Sequence, residues 1–178
     1  GLEVHIGDIK DSNFVENLIV LNKIDRIIHC AAVKYITISN ENPTSTIETN
    51  VIGSYNIVQL AIKYGIRNVV GISTDKAINP TNIYGMTKKL MEEMFIEAGY
   101  TIVSGVNFFG STGSVLDVWY QQFKNETAMS VTDKRCIRYF VDVNDIAKLA
   151  LSSFGHHGIV NCKRVYRIEL GSLLEVFC

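Results

Sequence analysis

The stretch Gly71–Lys89, "GISTDKAINPTNIYGMTKK", opens as a buried strand and then breaks into polar residues. Asp75, Lys76, Tyr84 and Lys88 fall within fourteen positions of it. As residues alone, Asp75 and Lys76 also read as an ion-paired surface turn. Tyr84 and Lys88 stand four apart, so on a helix they share a face. A lysine ammonium beside a phenol favours the phenolate. The spacing therefore predicts a tyrosine usable as a base below its ordinary pKa of about 10.

Outward from this stretch the chain alternates between two periods. "EVHIGD" alternates like a strand, and "DSNFVENLIVLNK" follows as a helix capped by Asp11 or Ser12. "DRIIHCAA" is a short apolar run, hence a buried strand. From about Pro43 to Tyr64, Ile47, Val51, Ile52, Tyr55, Val58, Ala61 and Ile62 recur at helical spacing. Pro43 suits the first turn of that helix and Gly65 its end. "IRNVVGIS" and "YTIVSGVNFF" read as strands on either side of the helix "NIYGMTKKLMEEMFIEAG". Further on, "SVLDVWYQQFKNE", "VNDIAKLALSSF" and "ELGSLLEVF" read as helices, and "AMSVTD", "CIRYFV" and "GIVNCK" as short strands.

Strand and helix alternating at this spacing imply βαβ units and an α/β fold. The expected architecture is a doubly wound parallel sheet covered on both faces. By this rhythm residues 1–114 form the sheet domain, and residues 115–178, where the rhythm becomes irregular, a small appended lobe. Ligands bind such sheets beyond the carboxyl ends of the strands. "GDIKD", "CAAVKY" and "STDKAINPTN" occupy loops in that position.

The 178 residues carry a net charge of −1, without the basic excess of a general nucleic-acid binder. No apolar run reaches the eighteen or so residues of a membrane span. No charged-then-apolar leader opens the sequence. Cys30, Cys136, Cys162 and Cys178 form no C-x-x-C pair, which favours free thiols in a reducing, cytoplasmic setting. No metal partners are spaced around His156 and His157, so no metal is expected.

The run "STDKAINPTNIYGMTKK" closely resembles the extended short-chain dehydrogenase/reductase group that includes UDP-N-acetylglucosamine 4,6-dehydratases of the polysaccharide-biosynthesis type. The likeness extends over nearly all of the chain. It implies a Rossmann-like fold, NADP as cofactor, a UDP-sugar substrate and a homo-oligomer. It also implies roles. Asp8 and Ile9 in "GDIKD" would meet the adenine end of the cofactor. Cys30, Ala31, Ala32 and Lys34, with Phe108, Phe109 and Gly110, would lie along it. Lys34, Ile72, Ser73, Asn107, Val115, Thr132 and Arg138 would contact substrate.

The implied chemistry has Tyr84 taking the O4 proton as hydride leaves C4. The new ketone acidifies the C5 hydrogen, which Lys76 removes, while Asp75 protonates the departing O6. These roles require a lowered pKa at Lys76 and a raised one at Asp75. Thr74 would stabilise the oxygen at C4, and Lys88 would hold the nicotinamide ribose. Neighbours in an extended loop point apart, so the loop must bend to present both Asp75 and Lys76, and Asn79 and Pro80 suit such a bend. Long membrane-attached members of the group typically carry methionine in place of the tyrosine. Tyr84 resembles the short soluble type, whose members often invert C5. If Lys76 returns the proton from the opposite face, the product is the 4-keto-6-deoxy-L-arabino sugar.

The chain also departs from the group. It has no G-x-x-G-x-x-G phosphate loop, and Ser104, Gly105 and Val106 stand where the group has Arg-Tyr-Gly. The expectation is a chain lacking its first βαβ elements and the end of its substrate lobe, inactive and weak in cofactor binding by itself. Read without the resemblance, Asp8 also suits a helix cap, Asn107 a turn, and Arg138 a surface charge. A nucleotide-sugar 4-epimerase, using Tyr84 and Lys88 without the Asp–Lys pair, and a non-catalytic remnant domain are the competing readings.

Overall fold

A computed structural model describes residues 1–131 and 133–177. The Asp11 carboxylate accepts the Phe14 N–H at 3.1 Å and so starts helix α1 (Ser12–Leu21), which buries Val15 and Ile19. Strands β1 (Arg26–His29), β2 (Asn68–Thr74), β3 (Thr101–Gly105) and β6 (Gly158–Asn161) form one sheet in the order β1-β2-β3-β6. β1 and β2 run parallel, with Arg26 beside Asn68 and His29 beside Gly71. β2 and β3 are almost wholly buried, as central strands covered on both faces must be. The core around them joins Val15, Ile19, Val58, Ala61, Val69, Met91, Phe95 and Ile102. This is an α/β fold of Rossmann type.

The long helix expected from Pro43 forms with a change of pitch. α2 (Ile36–Glu41) and α3 (Pro43–Ile47) precede a π-helical turn, Glu48–Gly53, which leads into α4 (Ser54–Lys63). The π turn holds more residues than an α turn and shifts the helical phase. Ile47, Ile52, Tyr55 and Ile62, expected on the buried face, are exposed, whereas Thr46, Asn50 and Ser54 are buried. α5 (Ile83–Glu97) ends at Gly99, whose φ of +77° lies in the region that favours glycine.

Contact clustering divides the chain into two units. One is Gly1–Ser104 with Ala150–Val160, the other Gly105–Leu149 with Asn161–Cys178. In the second, β4 (Asn107–Phe109), β5 (Ile137–Asp142) and β7 (Tyr166–Glu169) form a sheet in that order, β4 parallel and β7 antiparallel to β5. α6 (Val115–Lys124) buries Trp119, whose indole N–H donates to the Ser130 carbonyl at 2.9 Å. The Trp119 ring lies 5.8 Å from that of Phe177 in α8 (Leu170–Phe177). α7 spans Val143–Ser152.

Three sequence expectations are corrected. Residues 3–8 are not a strand: no strand pairs with them among the described residues, and Leu2, Val4 and Ile6 are exposed. Alternation alone supplies no ladder. "YTIVSGVNFF" is not one strand but two, β3 and β4, in different sheets. The described part of "AMSVTD" is not a strand either. There the Ser130 N–H donates to the Gln122 side chain at 3.0 Å and folds the segment back on α6. Thr132 lies outside the described residues. β7 is a further strand, beyond those expected from the sequence. No helix among the described residues is long and apolar enough to cross a membrane.

Candidate active site

β2 ends at Thr74, and the chain turns at once into a single 3-10 turn, Asp75–Ala77. The Thr74 hydroxyl caps that turn, accepting the Lys76 N–H at 3.5 Å. It also donates to the Asp75 carboxylate at 2.9 Å. Lys76 Nζ lies 3.1 Å from the same carboxylate oxygen. The required bend therefore exists, but it begins at Asp75 itself rather than at Asn79 and Pro80.

The helix that carries the tyrosine is fixed against this turn. Asn82 caps α5 by accepting the Gly85 N–H at 2.9 Å. A Cβ on Gly85 would stand 2.4 Å from the Lys76 carbonyl oxygen, so only glycine allows α5 to sit this close. Tyr84 is half-buried. Burial pushes its phenol above the ordinary range, a hydrogen bond with Thr74 lowers it, and the Asp75 charge raises it. The expected lowering of the Tyr84 pKa by Lys88 is corrected: burial dominates, and Lys88 is not among the groups that shift it. The Lys88 ammonium donates to the Ile72 carbonyl and lies 3.1 Å from Met91 Sδ. Lys88 is 3% exposed, and burial lowers its pKa to about 8 against the opposing charges of Glu92 and Cys30.

Two loops complete this side of the first unit. After β1, the loop of Cys30, Ala31, Ala32 and Lys34 is held through Val33. Asn50 accepts the Val33 N–H at 2.7 Å and donates to its carbonyl at 2.9 Å. Before α1, Asn56 donates to the carbonyls of Ile9 and Lys10 at 3.1 and 3.0 Å. The Ile9 side chain there packs on Gly53. The Asp8 carboxylate accepts the Lys10 N–H at 2.9 Å and stands 3.5 Å from the Lys10 ammonium.

The donors fit a dinucleotide and a sugar. The ammonium of Lys88 has three donors, of which one meets a carbonyl and one a weak thioether acceptor. Ser73 Oγ, at the end of β2, is buried with no hydrogen-bond partner. A buried hydroxyl left unpaired is costly, and a polar ligand at the strand end would satisfy it.

Asn107, Phe108, Phe109, Gly110, Val115 and Arg138 belong to the second unit. Asn107 stands opposite Phe140, and Arg138 is two residues from Phe140, so Asn107 and Arg138 share one face of that sheet. Asn107 donates to the Tyr139 carbonyl at 2.8 Å, and Gly110 has a φ of +75°. Arg138 is exposed and donates to the Ile137 carbonyl at 3.2 Å. Val115 is the first residue of α6.

Sequence reading missed His29, Asn50, Ser54 and Thr87, all buried polar residues. The available signal was the placing of Asn50 and Ser54 within an otherwise apolar helical pattern.

A Rossmann-type sheet with a Tyr-x-x-x-Lys helix beyond a central strand defines the short-chain dehydrogenase/reductase class. The profile of a polysaccharide biosynthesis protein family matches residues 2–172, and the chain belongs to that family. A UDP-N-acetylglucosamine 4,6-dehydratase (inverting) from Campylobacter jejuni is 30% identical over 180 residues, covering 94% of this chain and 53% of the relative. A UDP-glucose 4-epimerase from Rickettsia canadensis is 30% identical over 164 residues, covering 87% and 48%. The crystal structure of a dTDP-glucose 4,6-dehydratase, DesIV, from Streptomyces venezuelae, with NAD and TYD bound, superposes with a TM-score of 0.85. It is 20% identical and covers 96% of this chain and 61% of its own. The chain spans about half the length of the curated relatives it matches.

Proposed function

We propose that the protein is a nucleotide-sugar 4,6-dehydratase acting on UDP-N-acetylglucosamine with NADP. The observation that carries this reading is the Thr74–Asp75–Lys76 turn beside Tyr84. It gathers a hydroxyl, a carboxylate, an ammonium and a phenol at the end of one strand. The dehydratase relative from Campylobacter jejuni supports it.

A nicotinamide dinucleotide, held by Lys88 and the loop of Cys30, Ala31, Ala32 and Lys34, would supply the acceptor and donor of hydride. The protein's own residues handle the protons. Tyr84 takes the proton of O4, with the Thr74 hydroxyl beside it. Lys76 takes the proton from C5, and Asp75 delivers one to O6 as water leaves. These roles support one another electrostatically. A proton on Asp75 removes a charge that raises the Tyr84 phenol and releases Lys76 from its ion pair. One acid in its working form thus readies both bases. Lys88 and Ser73 would hold ribose or sugar hydroxyls, and Asp8 and Ile9 the adenine end. Assembly as a homo-oligomer and a cytoplasmic location belong to the same reading.

The test is to incubate the full-length protein with NADP and UDP-N-acetylglucosamine and identify the product. A 4-keto-6-deoxy sugar supports the reading, and its C5 configuration reports inversion. Simple inversion at C4 would replace it with the epimerase reading, which the Rickettsia relative favours.

A further inference from the structure

Behind the site runs a chain of buried polar side chains that the chemistry above does not use. Asn50, in the π turn, is 1% exposed. Besides bracketing Val33 from both sides, its side-chain amide donates to the Thr87 hydroxyl at 3.0 Å. Thr87 donates in turn to the main-chain carbonyl of Tyr84 at 2.9 Å. Asn50 is held from behind as well. Its own carbonyl accepts the Ser54 hydroxyl at 2.7 Å, and His29 Nε2 lies 2.8 Å from Ser54 Oγ. The Ser54 hydrogen is committed to Asn50, so His29 Nε2 carries a proton and donates. His29 is the last residue of β1, and its ring stacks on Phe95 of α5 at 5.9 Å. Burial, aided by the Lys88 charge, lowers its pKa to about 3, which keeps the ring neutral in that role.

The consequence is geometric. The loop bearing Ala31, Ala32 and Lys34 leaves β1, and α5, bearing Tyr84 and Lys88, follows neighbouring β2. We propose that Thr87 is a positioning residue. Through Asn50 it latches the loop after β1 to the first turns of the Tyr84–Lys88 helix, with Ser54 and His29 bracing the latch. This rests on the proposed site being a dinucleotide and sugar site. The π turn carries Asn50, which is buried there, and the Asn50 carbonyl accepts the Ser54 hydroxyl.

The experiment compares Thr87→Val, which keeps shape and loses the hydroxyl, with Thr87→Ser, which keeps the hydroxyl. Amide exchange is followed at Val33 and at Val69 and Val70 of β2, and NADPH affinity is measured by fluorescence. In Thr87→Val, Val33 exchange rises about fivefold and NADPH binding weakens by a similar factor. Val69 and Val70 do not change, and Thr87→Ser restores both readouts. The proposal is overturned if Val33 exchange is unchanged, if Val69 and Val70 loosen in step with it, or if Thr87→Ser behaves like Thr87→Val. Ser54→Ala, which removes the brace alone, must raise Val33 exchange in the same direction, and decides the matter should Thr87→Val not fold. If the full-length wild-type protein binds no NADPH, the cofactor reading falls, while the exchange measurement still decides the role of Thr87.

Discussion

Lys76 Nζ lies 3.1 Å from the carboxylate of Asp75, its neighbour in sequence. A 3-10 turn, not side-chain reach, brings the two to one side. The first prediction follows from their division of labour. Lys76→Ala removes the base for C5 and lowers dehydration by about two to four orders of magnitude. It leaves NADP binding and single-turnover reduction of the dinucleotide intact. Dehydration at the wild-type rate in this variant would refute the assignment of Lys76.

Ser73→Ala separates stability from binding. The hydroxyl is buried and unpaired, so its removal leaves stability unchanged or raises it by about 1 kcal/mol. Affinity for the dinucleotide or the sugar falls severalfold. Urea titration and ligand titration on the same sample check both halves. A clear loss of stability with no loss of affinity would show that the hydroxyl serves the fold.

Gly85→Ala tests the packing of helix against turn. The added methyl would stand 2.4 Å from the Lys76 carbonyl oxygen, which is backbone and cannot swing aside. The expected cost is about 1–3 kcal/mol in thermal or urea unfolding, with activity falling further as Asp75 and Lys76 are displaced. Unchanged activity would mean that the position of the turn is not critical.

Lys88 gives a pH dependence with a definite sign. Its pKa is about 8 in the folded chain against an ordinary 10.5. The groups bearing on it are Glu92 on its own helix and Cys30 and His29 at the end of β1. As pH rises through about 8 the ammonium is lost, so NADPH affinity should weaken there. Stability moves the other way. The unfolded chain binds more protons between about 8 and 10.5, so this residue's contribution is present above that window and lost as pH falls through it. Fluorescence titration at a series of pH values checks the first effect, and Lys88→Met should flatten it.

The strands that bury both faces were legible because apolar runs such as "NVVGIS" have few alternatives. The Tyr84–Lys88 helix and its glycine stop were legible from local rules of spacing and capping. The segment around Val4 and Ile6 misled because alternation describes a face, whereas a strand needs a partner. The helix after Pro43 misled for a different reason. Asn50 and Ser54 look like solvent-facing residues, yet they turn inward because Val33 and His29 offer hydrogen bonds there. The Asp75–Lys76 pair was legible only as a demand that the loop bend. The capping hydroxyl of Thr74 meets that demand, and no periodicity announces it.

The division of the chain into Gly1–Ser104 with Ala150–Val160, and Gly105–Leu149 with Asn161–Cys178, makes the polypeptide pass between units three times. Neither unit is therefore a contiguous stretch of gene. A single recombination breakpoint cannot exchange one unit for a relative's without also cutting through the other. Swapping one unit alone calls for three junctions, so the two units do not exchange by a single crossover.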